Sequence, residues 1–157
     1  MLCVGKFLLR DSYSWVVNRA CSRLYFKRRR NWSLGQWLPF RELHGGKDWA
    51  RFFEHRCEKP MKKVADSYTD FFADMLQVFA GKQVERQFDS DISLVLHPLP
   101  KVPILICYWR PEDDFESDFH LFFDSTAENN LSIDSIYFLS TGLVIMFEKI
   151  ALRHGLQ

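Results

Sequence analysis

The segment ISLVLHPLPKVPILICYW (residues 92–109), followed after an acidic loop by FHLFFD (residues 119–124), decides the fold of this 157-residue chain. These runs are rich in β-branched, aromatic and aliphatic residues, and prolines or carboxylates separate them. Such a pattern predicts short strands joined by turns. We therefore predict a core sheet of about three strands within residues 92–124.

The connections between these strands suggest how they pair. Residues 102–109 are almost continuously apolar, which is typical of a central strand covered on both faces. Pro98, Pro100 and Pro103 cannot donate to a ladder, so we expect them in a turn or at a sheet edge. The next connection, residues 110–118, is short and acidic, and a short connection favours antiparallel pairing.

Apolar residues at helical spacing predict helices before and after this sheet. We expect one helix over residues 12–26, another that begins at a cap on Asp48, and a kink or new start at Pro60. Gly81 supplies the stop expected just past a helix end.

A final helix is predicted from a cap at Ser132 to residue 150. Its apolar residues cover most of the circumference, so we expect it to be deeply buried against the sheet or in a dimer. The predicted fold class is α+β, with a small, mostly antiparallel sheet packed against four to five helices. We assign residues 1–33 to an N-terminal basic helical segment and residues 34–157 to a single domain.

Composition limits the class of protein. Hydrophobic residues make up 47% and charged residues 26%, as in ordinary globular proteins. The longest uncharged apolar run, residues 135–147, is shorter than the roughly 20 residues that cross a bilayer. The first ten residues lack the order of a signal peptide. We predict a cytoplasmic protein with no membrane contact, whose four cysteines are reduced thiols without metal-binding spacing: Cys3, Cys21, Cys57 and Cys107.

The net charge of +1 conceals an asymmetry along the chain. Residues 1–63 contain 15 Lys and Arg against 5 Asp and Glu, whereas residues 64–157 contain 6 against 15. The two halves then attract each other in the fold, or the basic half binds an anionic partner. The cluster Lys27–Arg30, flanked by aromatic residues, is either a solvated helix end or a nucleic-acid contact.

The segment WLPFRELHGG (residues 37–46) contains the first candidate site. Its two glycines permit a tight turn or a close approach to a ligand. An arginine here could hold a carboxylate or phosphate through two hydrogen bonds, or pair internally with Glu42. The candidate ligand-binding residues are Phe40, Arg41, Glu42, His44, Gly45 and Gly46.

A second candidate site lies at the ends of the predicted strands. Histidines and carboxylates that converge there could bind a divalent metal or perform acid–base chemistry. The alternative is that the acidic loop is a solvated turn, that His120 lies on a polar strand face, and that Asp124 caps the following loop. The candidate residues are His97, Asp113, Asp114, His120 and Asp124, and no cofactor is assigned.

Several of these segments together resemble one known family. WLPFRELHGG, LPKVPILICYW (residues 99–109), the acidic loop with Asp113 to Phe115, and LFFDSTA (residues 121–127) are similar to segments of the bacterial and archaeal family catalogued as domain of unknown function 3786. The resemblance spans roughly residues 34–150. It implies an uncharacterised domain found largely in anaerobes and sometimes joined to iron–sulfur modules, and it supplies no catalytic residues.

This chain also departs from that family. Family members usually have a longer segment before the tryptophan motif, WLPFRELHGG (residues 37–46), with more strand character than residues 1–30 show, so the N-terminus is expected to be truncated or atypical. The cysteines do not form an iron–sulfur ligand set.

Three functions follow as hypotheses. The first is a non-catalytic accessory or binding module in anaerobic metabolism that recognises a protein partner or an anionic cofactor through residues 40–46. The second is a metal-dependent enzyme that uses His97, His120 and nearby carboxylates. The third is nucleic-acid binding by the basic half. We favour the first, with a protein partner or a homo-oligomer.

Overall fold

The computed structural model of the chain describes residues 33–154, and a single antiparallel sheet of five strands organises this part of the chain. The strands are β1 Trp37–Pro39, β2 Lys82–Gln83, β3 Ile92–Leu99, β4 Val102–Trp109 and β5 Asp118–Asp124. Their order in the sheet is β1-β5-β4-β3-β2. The prediction of an α+β fold with an antiparallel sheet is therefore confirmed.

The predicted number of about three strands was too small, because two short strands extend the sheet at its edges. Strand β1 pairs with the end of β5, with Trp37 opposite Asp124, and β2 pairs with β3. These strands have only three and two residues, so no alternation of apolar and polar residues can develop within them. Only their tertiary partners make them strands.

Strand β4 is the central strand that its apolar sequence predicted. Ile104 and Ile106 join the main core, whereas Leu105 and Cys107 belong to a second, smaller cluster with Phe122. Successive side chains point to opposite faces, so both faces of the strand are buried.

The prolines are placed differently from the prediction. Pro100 lies in the turn between β3 and β4, but Pro98 and Pro103 lie inside these strands. The pairing between β3 and β4 is irregular between Leu96 and Leu99. A bulge of this kind accommodates residues that cannot donate to the ladder.

Four helices pack with the sheet in the described part of the chain, in agreement with the predicted four to five. Helix α1 has three consecutive segments: α-helical Ala50–Phe53, π-helical Glu54–Glu58 and α-helical Lys59–Ser67. Helix α2 spans Phe71–Val78, α3 spans Ala127–Asn130 and α4 spans Ile133–Arg153.

The predicted kink at Pro60 is a π-helical segment within α1. The Lys59 N–H donates to the Glu54 carbonyl, five residues earlier. Proline has no N–H for the ordinary helical bond, so the turn before it widens. Helix α1 also begins later than predicted, at Ala50 after a 3₁₀ turn over Lys47–Trp49, and the Asp48 side chain caps neither element.

The end of α2 confirms the predicted stop with one correction. The left-handed residue is Ala80, with φ of 48°, and Gly81 donates its N–H to the Leu76 carbonyl. A Cβ on Gly81 would lie 2.6 Å from Leu96 Cδ2. Gly81 therefore permits close packing on β3, while Ala80 makes the turn.

Helix α4 is the predicted C-terminal helix, and the Ser132 hydroxyl accepts the Ser135 N–H at its start. One side packs into the main core through Ile136, Leu139, Leu143 and Phe147. The opposite side exposes Phe138, Ile145 and Leu152, so burial is one-sided. By length and composition alone α4 could cross a membrane, but half of its most apolar window is buried in the fold, as in a core helix.

Several predictions lie outside the described residues. These are the helix over residues 12–26 and the basic cluster Lys27–Arg30. The division of the chain after residue 33 stays a prediction.

Candidate functional site

The tryptophan motif, residues 37–46, forms a strand, a 3₁₀ turn and a tight glycine turn. Phe40 is buried and stacks on Phe53 with ring centroids 4.1 Å apart. Gly45 has φ of 78°, and a Cβ on Gly46 would lie 1.9 Å from the Phe40 carbonyl oxygen. The apolar and glycine positions of the motif therefore serve the fold, and the two glycines make a tight turn against the protein's own backbone.

The polar residues of this motif stay at the surface. Arg41, Glu42 and His44 are exposed. The His44 backbone N–H donates to Glu128 Oε2 at 2.9 Å. The alternative of an Arg41–Glu42 salt bridge is not seen among the ion pairs of residues 33–154. Of the predicted ligand-binding residues, only these three present polar side chains to solvent.

The sheet does not bring the two predicted histidines together. His120 lies opposite Cys107, which lies opposite Ser93, whereas His97 follows Ser93 by four residues. Four strand residues span about 13 Å. The two histidines are therefore near opposite ends of the sheet, and the predicted convergence is wrong because it ignored the direction and register of the strands.

Asp124 is a buried structural carboxylate. It accepts hydrogen bonds from Ser33 Oγ at 2.8 Å, Gly35 N at 2.7 Å and Thr126 Oγ1 at 2.6 Å, and also from the N–H groups of Leu34 and Thr126. Burial by itself raises the pKa of Asp124, but these hydrogen bonds outweigh it and hold the pKa below its ordinary value. The side chain fixes the segment before β1 to the loop after β5.

The acidic loop folds into a small hairpin. Glu112 and Phe115 exchange backbone hydrogen bonds of 3.0 and 2.9 Å, and Asp113 and Asp114 occupy the exposed corner. Within residues 33–154, no group of three or more His, Cys, Asp and Glu side chains is arranged to hold a metal ion. The predicted metal constellation is therefore not assembled in this part of the chain.

His120 instead lies between two carboxylates. Its Nδ1 is 3.3 Å from Glu58 Oε1, and its Nε2 is 3.1 Å from Asp118 Oδ2. The hydrogen bond to Glu58, aided by the negative charges of Glu58 and Asp118, outweighs partial burial and raises the pKa of His120 above 6.5. We call Glu58, His120 and Asp118 the histidine cluster.

Glu58 also closes the open side of β5. Strand β1 pairs only with residues 122–124 of β5, which leaves residues 118–121 without a neighbouring strand on that side. The Leu121 N–H donates to Glu58 Oε1 at 3.1 Å, and the Phe119 N–H donates to Asp118 Oδ1 at 2.8 Å. Carboxylates thus occupy the donors of this edge, which opposes addition of another strand.

A surface cleft runs beside this edge, between α1 and the chain that leads into β5. Its first part has a volume of about 750 Å³ and includes the histidine cluster together with lysines of α1. Its second part, of about 680 Å³, reaches Arg110 at the end of β4. Lys62, Asp66 and Glu116 line both parts, and Lys62 Nζ bonds Glu116 Oε2 across the cleft at 2.8 Å.

The second part of the cleft combines an apolar floor with a cation. Phe72, Ile92, Tyr108 and Pro111 supply the floor, and Arg110 lies beside it. The Arg110 backbone N–H donates to Asp91 Oδ2 at 2.8 Å, which fixes the start of the loop. Within residues 33–154, the Arg110 guanidinium belongs to no ion pair of 4.0 Å or less.

The hydroxyl groups that line the cleft, and the Cys57 thiol in the main core, are engaged in structural contacts. Tyr108 Oη and Ser117 Oγ each donate to the Asp66 carboxylate at 2.8 Å. Burial and the bond to Asp66 raise the pKa of Tyr108 to about 12. Cys57 is fully buried, and burial raises the pKa of its thiol to about 12. None of these groups is prepared as a nucleophile.

Sequence reasoning found His120 but missed its partners and the cleft. Glu58 lies 62 positions before His120, and the π-helical segment that directs it has no short sequence signature. Arg110 carried one usable signal, since it directly follows a predicted strand. Its meaning depends on Phe72 and Ile92, which come from α2 and β3.

Comparisons with curated proteins and with solved structures find no match for this chain. A family model described as "Domain of unknown function (DUF3786)" matches residues 24–146. The match includes the tryptophan motif, all five strands and most of α4. The chain therefore belongs to the family of domain of unknown function 3786.

Proposed function

We propose that this chain is a non-catalytic binding module whose cleft holds a segment of a partner protein with an apolar side chain next to a carboxylate. The observation that carries this proposal is the pairing of an apolar floor with the Arg110 guanidinium in the second part of the cleft. A non-catalytic binding module is also the function favoured from the sequence. The proposed binding surface is now the cleft and not residues 40–46.

The floor supplies the apolar half of the recognition. Phe72 and Ile92 are only partly buried, so a ligand that covers them removes apolar surface from water. Phe72 and Tyr108 lie with ring centroids 5.2 Å apart, which gives the floor a fixed shape. An apolar side chain of a partner segment fits this surface.

Arg110 supplies the polar half. A guanidinium presents donors in a fixed fork that matches a carboxylate. The nearby carboxylates have other partners, because Glu116 bonds Lys62, Asp66 accepts two hydroxyl donors, and Asp91 pairs with Arg86 and accepts the Arg110 backbone N–H. Within residues 33–154 the Arg110 guanidinium belongs to no ion pair, so it can bind the carboxylate of a ligand.

The rest of the cleft favours side-chain recognition over strand addition. Glu58 and Asp118 occupy the open donors of β5, so a partner segment cannot extend the sheet there. Both His120 ring nitrogens contact carboxylates. This arrangement gives the histidine cluster a positioning role that joins α1 to β5 at one wall of the cleft.

A peptide-library selection tests this proposal directly. A random heptapeptide library is panned against the wild-type chain, and the affinity of selected peptides is measured by fluorescence anisotropy. We expect enrichment of peptides with an apolar residue adjacent to Asp or Glu. Because one charge-assisted contact contributes about 1.4 kcal/mol or more, Arg110→Ala should weaken binding about tenfold or more.

Arg41→Ala provides the matched control, since it removes an exposed arginine from the site predicted by sequence. It should retain wild-type affinity. Failure to enrich any peptide, or equal binding by Arg110→Ala, would overturn the cleft as the binding site. Loss of binding by Arg41→Ala alone would return the site to the tryptophan motif.

A further inference from the structure

The exposed side of α4 carries an apolar stripe with a repeat of seven residues. Phe138, Ile145 and Leu152 are 62%, 42% and 64% exposed. Residues seven apart lie on the same side of a helix after two turns, so these three side chains form one line along α4. The opposite side of α4 is already buried in the core, so the stripe faces away from the fold.

Aromatic residues at the start of α1 and in the 3₁₀ turn before it widen this surface at one end. The Tyr137 ring lies 5.9 Å from Phe138 and 5.8 Å from Trp49, and Trp49 lies 6.3 Å from Phe52. Trp49 and Phe52 are exposed as well. Five of the eight exposed large hydrophobic residues in the described part of the chain therefore lie on this surface.

We infer that this surface binds a second copy of the same chain, with the two α4 helices antiparallel around a twofold axis at Ile145. The stripe is symmetric about its centre, because Phe138 and Leu152 are each seven residues from Ile145. A twofold axis there places Ile145 against Ile145 and each Phe138 against Leu152 of the second copy.

Charge at the ends of α4 selects the antiparallel orientation. Asp134 lies in the first turn and Arg153 in the last turn. The antiparallel pair brings each Asp134 within about one helical turn of Arg153 of the second copy, and it also opposes the helix dipoles. A parallel pair would place like charges together at both ends.

The surface is small for a contact between two copies. A helix of 21 residues is about 32 Å long and about 10 Å wide, so α4 alone offers roughly 300 Å². Stable complexes bury about 800 Å² per partner. Trp49 and Phe52 enlarge the surface, but it remains smaller than that, so we expect a weak, reversible dimer.

Sedimentation equilibrium of the full chain from about 1 to about 200 μM tests the dimer. The mass should rise from that of one chain to twice that mass. Ile145→Glu places two carboxylates beside the axis and should weaken the dimer at least about tenfold. Phe115→Glu is the control, because it alters an exposed phenylalanine in the acidic hairpin and should dimerise as the wild type does.

Engineered cysteines test the orientation. Ile145→Cys should form a disulfide-linked dimer on oxidation, located by peptide mapping. Phe138→Cys alone should not, since its two copies are about 21 Å apart in the antiparallel pair. A mixture of Phe138→Cys and Leu152→Cys chains should cross-link.

Three results would overturn the inference. They are a monomer at every concentration, an Ile145→Glu dimer as strong as the wild type, and cross-linking of Phe138→Cys to itself. Circular dichroism of each variant separates a lost dimer from a lost fold. A wild-type monomer that floats with phosphatidylcholine–phosphatidylglycerol vesicles would instead make the stripe a lipid contact.

Discussion

Asp124 shows how much one side chain contributes to this fold. Its buried carboxylate joins the segment before β1 to the loop after β5 through five hydrogen bonds. Every donor faces an acceptor-only group, so the ionised carboxylate matches the site. An amide of the same shape would direct N–H groups at N–H or O–H donors.

We expect Asp124→Asn to lower the free energy of unfolding by about 3 kcal/mol, because buried donors lose a charged acceptor. Urea unfolding followed by circular dichroism measures this change. Asp114→Asn is the control at the exposed hairpin corner, where we expect a change within about 0.5 kcal/mol. Equal stabilities of the two variants would show that Asp124 does not hold these segments.

At the scale of secondary-structure elements, the π-helical segment of α1 connects Pro60 to the histidine cluster. The widened turn ends at Glu58, whose carboxylate contacts both His120 and the Leu121 N–H. A regular helix would rotate the residues before Pro60 relative to β5. The local irregularity therefore sets the contact between a helix and the edge of the sheet.

The raised pKa of His120 predicts a pH-dependent stability. A group whose pKa is higher in the folded chain than in the unfolded chain stabilises the fold when it is protonated. This stabilisation is fully present below the pKa of the group in the unfolded chain, near 6.5, and it is lost as the pH rises through the pKa in the folded chain. We expect the wild-type melting temperature to fall as pH rises from about 6 to about 9. The fall should be smaller in His120→Gln.

The matched control is His55→Gln, which removes an exposed histidine in the π-helical segment and should keep the wild-type slope. Differential scanning fluorimetry across this pH range provides the measurement. If wild type and His120→Gln show the same slope, the histidine cluster does not couple protonation to folding.

At the scale of the whole molecule, the two described cysteines lie in the two apolar clusters that cover opposite faces of the sheet. Cys57 packs in the main core, and Cys107 belongs to the smaller cluster on the other face. Both are free and buried, and burial raises the pKa of both thiols. Their reaction with alkylating reagents therefore requires opening of the fold.

We expect iodoacetamide to label Cys57 and Cys107 at least about 100-fold more slowly in the native protein than in concentrated guanidinium chloride. Peptide mapping by mass spectrometry assigns the label to each position. Rapid labelling of Cys107 alone would show that the smaller cluster opens independently of the main core. Rapid labelling of both would contradict the buried placement.

The sequence by itself determined the α+β class, the three long strands and the amphipathic helices, because their apolar patterns extend over several residues. The motifs also identified the family. Tertiary structure alone decided β1, β2, the partners of His120 and the position of Arg110 beside an apolar floor. These features depend on contacts between residues far apart in the chain, and local periodicity contains no information about strand register or about which helix residue meets which strand.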